Sequence, residues 1–125
     1  MKKLFVLILV YASIILAEIP ILDANNVEEI INHKGKIITI QGKVVKVAFS
    51  KDEKVRYLNF GDDFTKCFSA VIFSRHMKNF EKLNIEPTEF YKEKTVAITG
   101  KVKIFKDYPE IIVAKPGQIK ILEKK

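Results

Sequence analysis

The sequence predicts an all-β fold with minor helix: a five-stranded barrel with one helix between strands three and four and a short helix ahead of the first strand. Three observations lead there. First, residues 36–47, KIITIQGKVVKV, recur as residues 94–105, KTVAITGKVKIF. In each copy apolar residues alternate with largely polar ones through a Gly-Lys-Val: Ile38, Ile40, Gly42 and Val44, then Val96, Ile98, Gly100 and Val102. A period of two marks a half-buried strand, and a glycine inside one marks a bulge, a bend or a close approach of backbone. Second, turn residues cut the rest of the chain into short extended runs. Third, Met77, Phe80 and Leu83 stand at helical spacing between those runs.

The chain of 125 residues is long enough for one domain with one modest core. Residues 1–17 read as a signal peptide: Met1-Lys2-Lys3 is basic, an apolar run follows to Leu16, and Ala17 precedes Glu18. Export to the periplasm or the medium is therefore expected, with no membrane span left after cleavage. The competing reading is a retained anchor, but a spanning helix wants about 20 apolar residues, and Glu18 and Pro20 cut this run short. The formal charge of +7 becomes +5 once Lys2 and Lys3 leave with the leader. That balance suits an anionic partner, whether nucleic acid, lipid or glycan, without choosing among them. Cys67, the single cysteine, cannot form an internal disulfide and fits export if it is buried.

After the leader, residues 18–35 make an extension and a helix, and residues 36–122 make the barrel. Residues 18–22 are an extended lead-in. Residues 23–33 read as a helix capped by Asp23 or Asn25, with Val27, Ile30 and Ile31 on one side covering an end of the barrel. Gly35 accepts the left-handed conformation at its end. The first strand runs over residues 36–49, and the adjacent Val44 and Val45 imply that its facing changes at a bulge. A charged turn, residues 50–54, leads to a second strand at 55–60. Gly61-Asp62-Asp63 turns the chain before a third strand at 68–74. The helix spans residues 76–83, followed by a polar loop through Pro87. The fourth strand, 95–105, is the repeat's second copy. Residues 106–109 make a turn, 110–114 the fifth strand, and Pro116-Gly117 a break before a last extended piece.

Three strands, a helix and two strands, with the first and fourth long and bent at glycine, resemble the oligonucleotide/oligosaccharide-binding (OB) fold. The resemblance extends to residues: Leu58-Asn59-Phe60-Gly61-Asp62, residues 68–73, Gly100-Lys101-Val102, residues 109–113, then Pro116 and Gln118-Ile119. These look like small bacterial members of the superfamily, exported alone or joined to nuclease domains. The similarity covers residues 35–122 and implies a binding function rather than a particular ligand.

In that fold the ligand crosses the face of the second and third strands, and single strands are held by aromatic stacking beside a basic track. With Leu58 and Phe60 pointing inward, Tyr57 and Asn59 point outward beside Ser69, Val71 and Phe73. The resemblance then implies Tyr57 and Phe73 as stacking rings, Arg75 as the phosphate or cation-π partner, and Lys46, Lys103, Lys106 and Tyr108 as the frame. The competing reading makes Tyr57 a surface aromatic, Phe73 a packing residue and the lysines ordinary solvated charges, in a module that docks on an envelope protein or binds a small ligand. No cofactor is called for. Cys67 has no base in a recognisable local signature, and Asp62-Asp63 reads as a turn rather than a metal pair. A non-enzymatic module for single-stranded nucleic acid or a similar polyanion is the expectation.

Overall fold

In the computed structural model, which describes residues 18–122, the two copies of the repeat pair with each other. Strand β2 (Ile37–Lys43) lies antiparallel to β6 (Thr95–Phe105), with Ile38 opposite Gly100 and Gly42 opposite Val96. Ile38, Ile40, Val44, Val96, Ile98 and Val102 are all buried, so the alternating apolar face of both copies is the barrel interior. Thr39 and Thr99 meet on the outer face through a 2.7 Å hydroxyl hydrogen bond.

The bend falls at the two adjacent valines. Val44 donates its N–H to Lys94 O, on the β6 side, whereas Val45 donates to Asn59 O, on the opposite side of the barrel. The chain thus leaves one partner for another within two residues and continues as β3 (Lys46–Phe49), antiparallel to β4 (Val55–Asn59). Strand β4 pairs with β5 (Ser69–Phe73), β5 runs parallel to β7 (Tyr108–Ile112), and β7 returns to β6. The sheet path ends at β3 and is not closed by hydrogen bonds; β2 and β3 are joined through the chain itself. This is the OB arrangement, an all-β barrel with a partly open Greek key. Leu58, Phe60, Phe68, Ala70, Ile72 and Ile111 add to the core, with the Phe60 and Phe68 rings tilted at 5.2 Å.

Several boundaries differ from the sequence reading. The lead-in is a strand, β1 (Ile21–Asp23), parallel to β2, so the first helix cannot begin at Asp23. Asp23 instead accepts from Asn25 N at 2.8 Å, a local turn, and α1 (Val27–Ile31) is one short helix that seats Ile30 in the core. Gly35 does take positive φ, +82°. A 3-10 turn, Ser74–His76, precedes α2 (Met77–Glu81), and the supposed polar loop holds a helix of its own, α3 (Pro87–Phe90), with Pro87 where a first helical turn needs no N–H. Arg56 on β4 ties to the residue ahead of α3, its Nε 2.8 and 3.0 Å from the Glu86 carboxylate. The hairpin between β6 and β7 is a two-residue turn, Lys106 and Asp107, both at positive φ. Tyr108 and Pro109 are therefore strand, and Pro109 fits because β5 pairs with β7 only from Glu110 onward. The tail forms a 3-10 turn, Pro116–Gln118, and β8 (Ile119–Ile121), which pairs with β6. The leader expected at residues 1–17 lies outside the described residues.

Candidate functional site

Because β4, β5, β7 and β6 are in continuous register, every second residue of each forms rows across the barrel's outer surface. One row is Lys46, Asn59, Ser69, Glu110 and Lys103, from β3 through to β6. The next row on one side holds Ala48, Tyr57, Val71 and Ile112. On the other side Tyr108 faces Phe105 across the hairpin.

Above these rows the hairpin loop after β3 and the loop before β5 rise on either side of a cleft of about 580 Å³. The first loop is built by Ser50 and Asp52: Ser50 Oγ donates to Asp52 Oδ1 at 2.6 Å and accepts from Val55 N, and Asp52 also accepts from Lys54 N. The Ser50 hydroxyl, then the Lys54 amide, hold the Asp52 carboxyl below its ordinary range. The second loop uses Asp63 in the same way, accepting from the Thr65 hydroxyl and amide, which lower its pKa. Asp63 is thus a turn builder, and no cluster of three metal-ligating side chains occurs among the described residues.

Of the predicted residues, Tyr57, Asn59, Ser69, Lys106 and Tyr108 line the cleft. Lys46 and Lys103 are exposed at the two ends of the Asn59–Glu110 row rather than in the lining. Phe73 and Arg75 do not join them. Phe73 pairs with Val55, one row beyond Tyr57 and away from the cleft, and its ring carries the Arg75 guanidinium at 4.6 Å. These two form a separate patch beside His76.

Three rings that the sequence reading passed over complete the site. Phe49, Phe64 and Phe105 are 46%, 70% and 58% exposed, and all border the cleft. Singly exposed apolar side chains are ordinary, but rings grouped around one cleft mark a contact surface, and an aromatic inside a polar turn, as Phe64 is, was the available signal. Lys106 Nζ sits 5.4 Å from the Phe105 ring centroid. The floor is polar: Ser69 Oγ donates to Asn59 Oδ1 at 2.6 Å, with Asn59 only 4% exposed. Cys67, buried beside them, has its thiol pushed up by burial.

Glu110 also lies in the lining, and burial raises its carboxyl pKa while Lys103 opposes the rise. A raised folded-state pKa means that the folded protein binds this proton more readily than the unfolded chain. Stability from this group is fully present below its ordinary value of 4.5 and is lost as pH rises through the folded value. Glu110→Gln is therefore expected to melt above the wild type at about pH 8, with the gap shrinking by about pH 4; paired thermal melts measure it. A gap independent of pH would show that the carboxyl charge is not what the cleft strains against.

No family model and no curated protein sequence matches the chain. Its backbone is similar to parts of solved tRNA synthetases. A Leishmania major Friedlin protein assigned as an aspartyl-tRNA synthetase matches with a TM-score of 0.55 and 13% identity over 88% of this chain and 22% of that one. Pyrococcus horikoshii asparaginyl-tRNA synthetase matches at 0.50 and 22% identity over 74% and 21%. Entamoeba histolytica asparaginyl-tRNA synthetase with asparaginyl-adenylate matches at 0.50 and 16% identity over 84% and 24%. This chain spans less than a quarter of each enzyme, and at these identities the likeness is one of fold.

Proposed function

We propose that this OB-fold protein is an exported, non-enzymatic binding module that holds single-stranded nucleic acid in the cleft over β4, β5 and β7. One observation carries the reading: Phe49, Tyr57, Phe64, Phe105 and Tyr108 converge on a single cleft with Lys51 and Lys106 at its rim. Ring faces stack on any base, and lysines track phosphates. Residues 18–35 do not compete for this surface: β1 pairs with β2, and none of these residues lines the cleft. Burial pushes the Cys67 thiol up, away from the thiolate form that a nucleophile needs, which supports a binding rather than a catalytic reading. Similarity to parts of proteins that are tRNA synthetases agrees with a nucleic-acid ligand.

Titration of the purified protein with single-stranded oligonucleotides at two salt concentrations tests the proposal. Binding that weakens with salt yet persists at the higher concentration is expected, because stacking adds to charge. Absence of binding at low salt would overturn it. For export, mass spectrometry of the protein from its host is expected to show a chain beginning at Glu18. An intact Met1 in the membrane fraction would mean that the leader is an anchor.

A further inference from the structure

We propose that the row Asn59, Ser69 and Glu110 reads the Watson–Crick edge of one unstacked guanine, a specificity that rests on the single-stranded nucleic-acid reading of the same cleft. The three residues are consecutive partners across β4, β5 and β7, and all three face the cleft. The bond from Ser69 Oγ to Asn59 Oδ1 fixes what each can offer. With Oδ1 turned toward Ser69, Asn59 presents its amide N–H groups. Ser69 has committed its one proton and presents only lone pairs, and an ionised Glu110 is an acceptor alone. Across the row the cleft therefore reads donor, acceptor, acceptor.

Guanine offers the complement in order: O6 accepts, N1–H donates and the 2-amino group donates. The other bases meet the row with a repulsion. Cytosine placed with its amino group at Glu110 sets N3, a lone pair, against the Ser69 lone pairs. Uracil or thymine sets a carbonyl against the Glu110 carboxylate, and adenine has no third group to offer. Such mismatches leave polar groups of the cleft unpaired, which discriminates more strongly than shape. The rings are placed to support a base here, because Tyr57 stands in the row before and Tyr108 in the row after. A carboxylate kept in the middle of a cleft for a polyanion also gains a use, since the 2-amino group supplies a hydrogen bond that the described residues do not give it.

The test is fluorescence anisotropy of the purified protein with a short all-thymine oligonucleotide and with versions carrying one central guanine, cytosine, adenine or hypoxanthine. The guanine version is expected to bind about tenfold more tightly than the all-thymine strand. Hypoxanthine, which lacks only the 2-amino group, is expected to lose most of that gain. Glu110→Ala, which removes the acceptor altogether and is confirmed folded by its melt, should lower guanine affinity toward the thymine value and remove the difference between guanine and hypoxanthine. Equal affinity for all versions, or a preference for cytosine, would overturn guanine reading while leaving single-strand binding intact. Failure to bind any strand would overturn both.

Discussion

Gly42→Val and Gly100→Val are each expected to destabilise the protein by about 3 kcal/mol, toward the upper end of the range for overpacking. Thermal melts should fall by about 10 °C or more for a domain of this size. The reason is specific to each site. A Cβ on Gly42 would lie 2.6 Å from Ala24 Cβ and 3.2 Å from the Phe60 ring, and one on Gly100 would lie 2.5 Å from Ile111 Cγ2. Those neighbours are buried, so they cannot swing away into solvent. Neither glycine has a positive φ, so the constraint is close approach rather than backbone conformation. At each position one copy of the repeat leaves room for a core side chain from another element. Two controls bound the effect. Ile38→Val removes one buried methylene for about 1 kcal/mol, and Gly117→Ala, with nothing within 4 Å, should melt like the wild type. If both valine variants matched Gly117→Ala, the inward facing of the repeat would be wrong.

That facing is also why so much of the barrel was legible in the sequence. Strand alternation reports which side of a residue is buried, and in a small barrel one side of every strand is core; Ile38 to Val44 and Val96 to Val102 therefore announce themselves. The valine pair at the bend was legible for the same reason, since two adjacent apolar residues break the alternation where the strand changes partner. The turn at Lys106 and Asp107 was not, because a lysine at φ 50° carries no signal comparable to glycine. Missing it displaced the start of β7 by two residues and hid Tyr108 from the strand. The short helix α3 was hidden similarly, having four residues and no periodicity to read. For the site, alternation placed Phe73 and Tyr57 on one face correctly, but facing says nothing of distance along a strand. Loops decide where the cleft stops, and they also contribute Phe64, which no strand pattern could assign.

Tyr57→Ala and Tyr108→Ala are expected to weaken binding of a single-stranded oligonucleotide by about 1–3 kcal/mol each, the usual loss when a base loses its stacking platform. Both rings are half-buried within the cleft and lie on either side of the Asn59, Ser69 and Glu110 row. Two comparisons separate stacking from general attraction to charge. Lys106→Ala removes a single phosphate contact and should lower the slope of affinity against salt by about one unit, with little loss remaining at high salt. Phe73→Ala removes a ring of similar size that lies outside the cleft beneath Arg75, and should cost far less than Tyr57→Ala. Because stacking depends only weakly on salt whereas counterion release depends on it strongly, the tyrosine losses should persist at high salt as the lysine loss fades. Equal losses for the two tyrosines, Phe73 and Lys106, all vanishing together in high salt, would instead describe a basic surface attracting a polyanion with no use for the cleft.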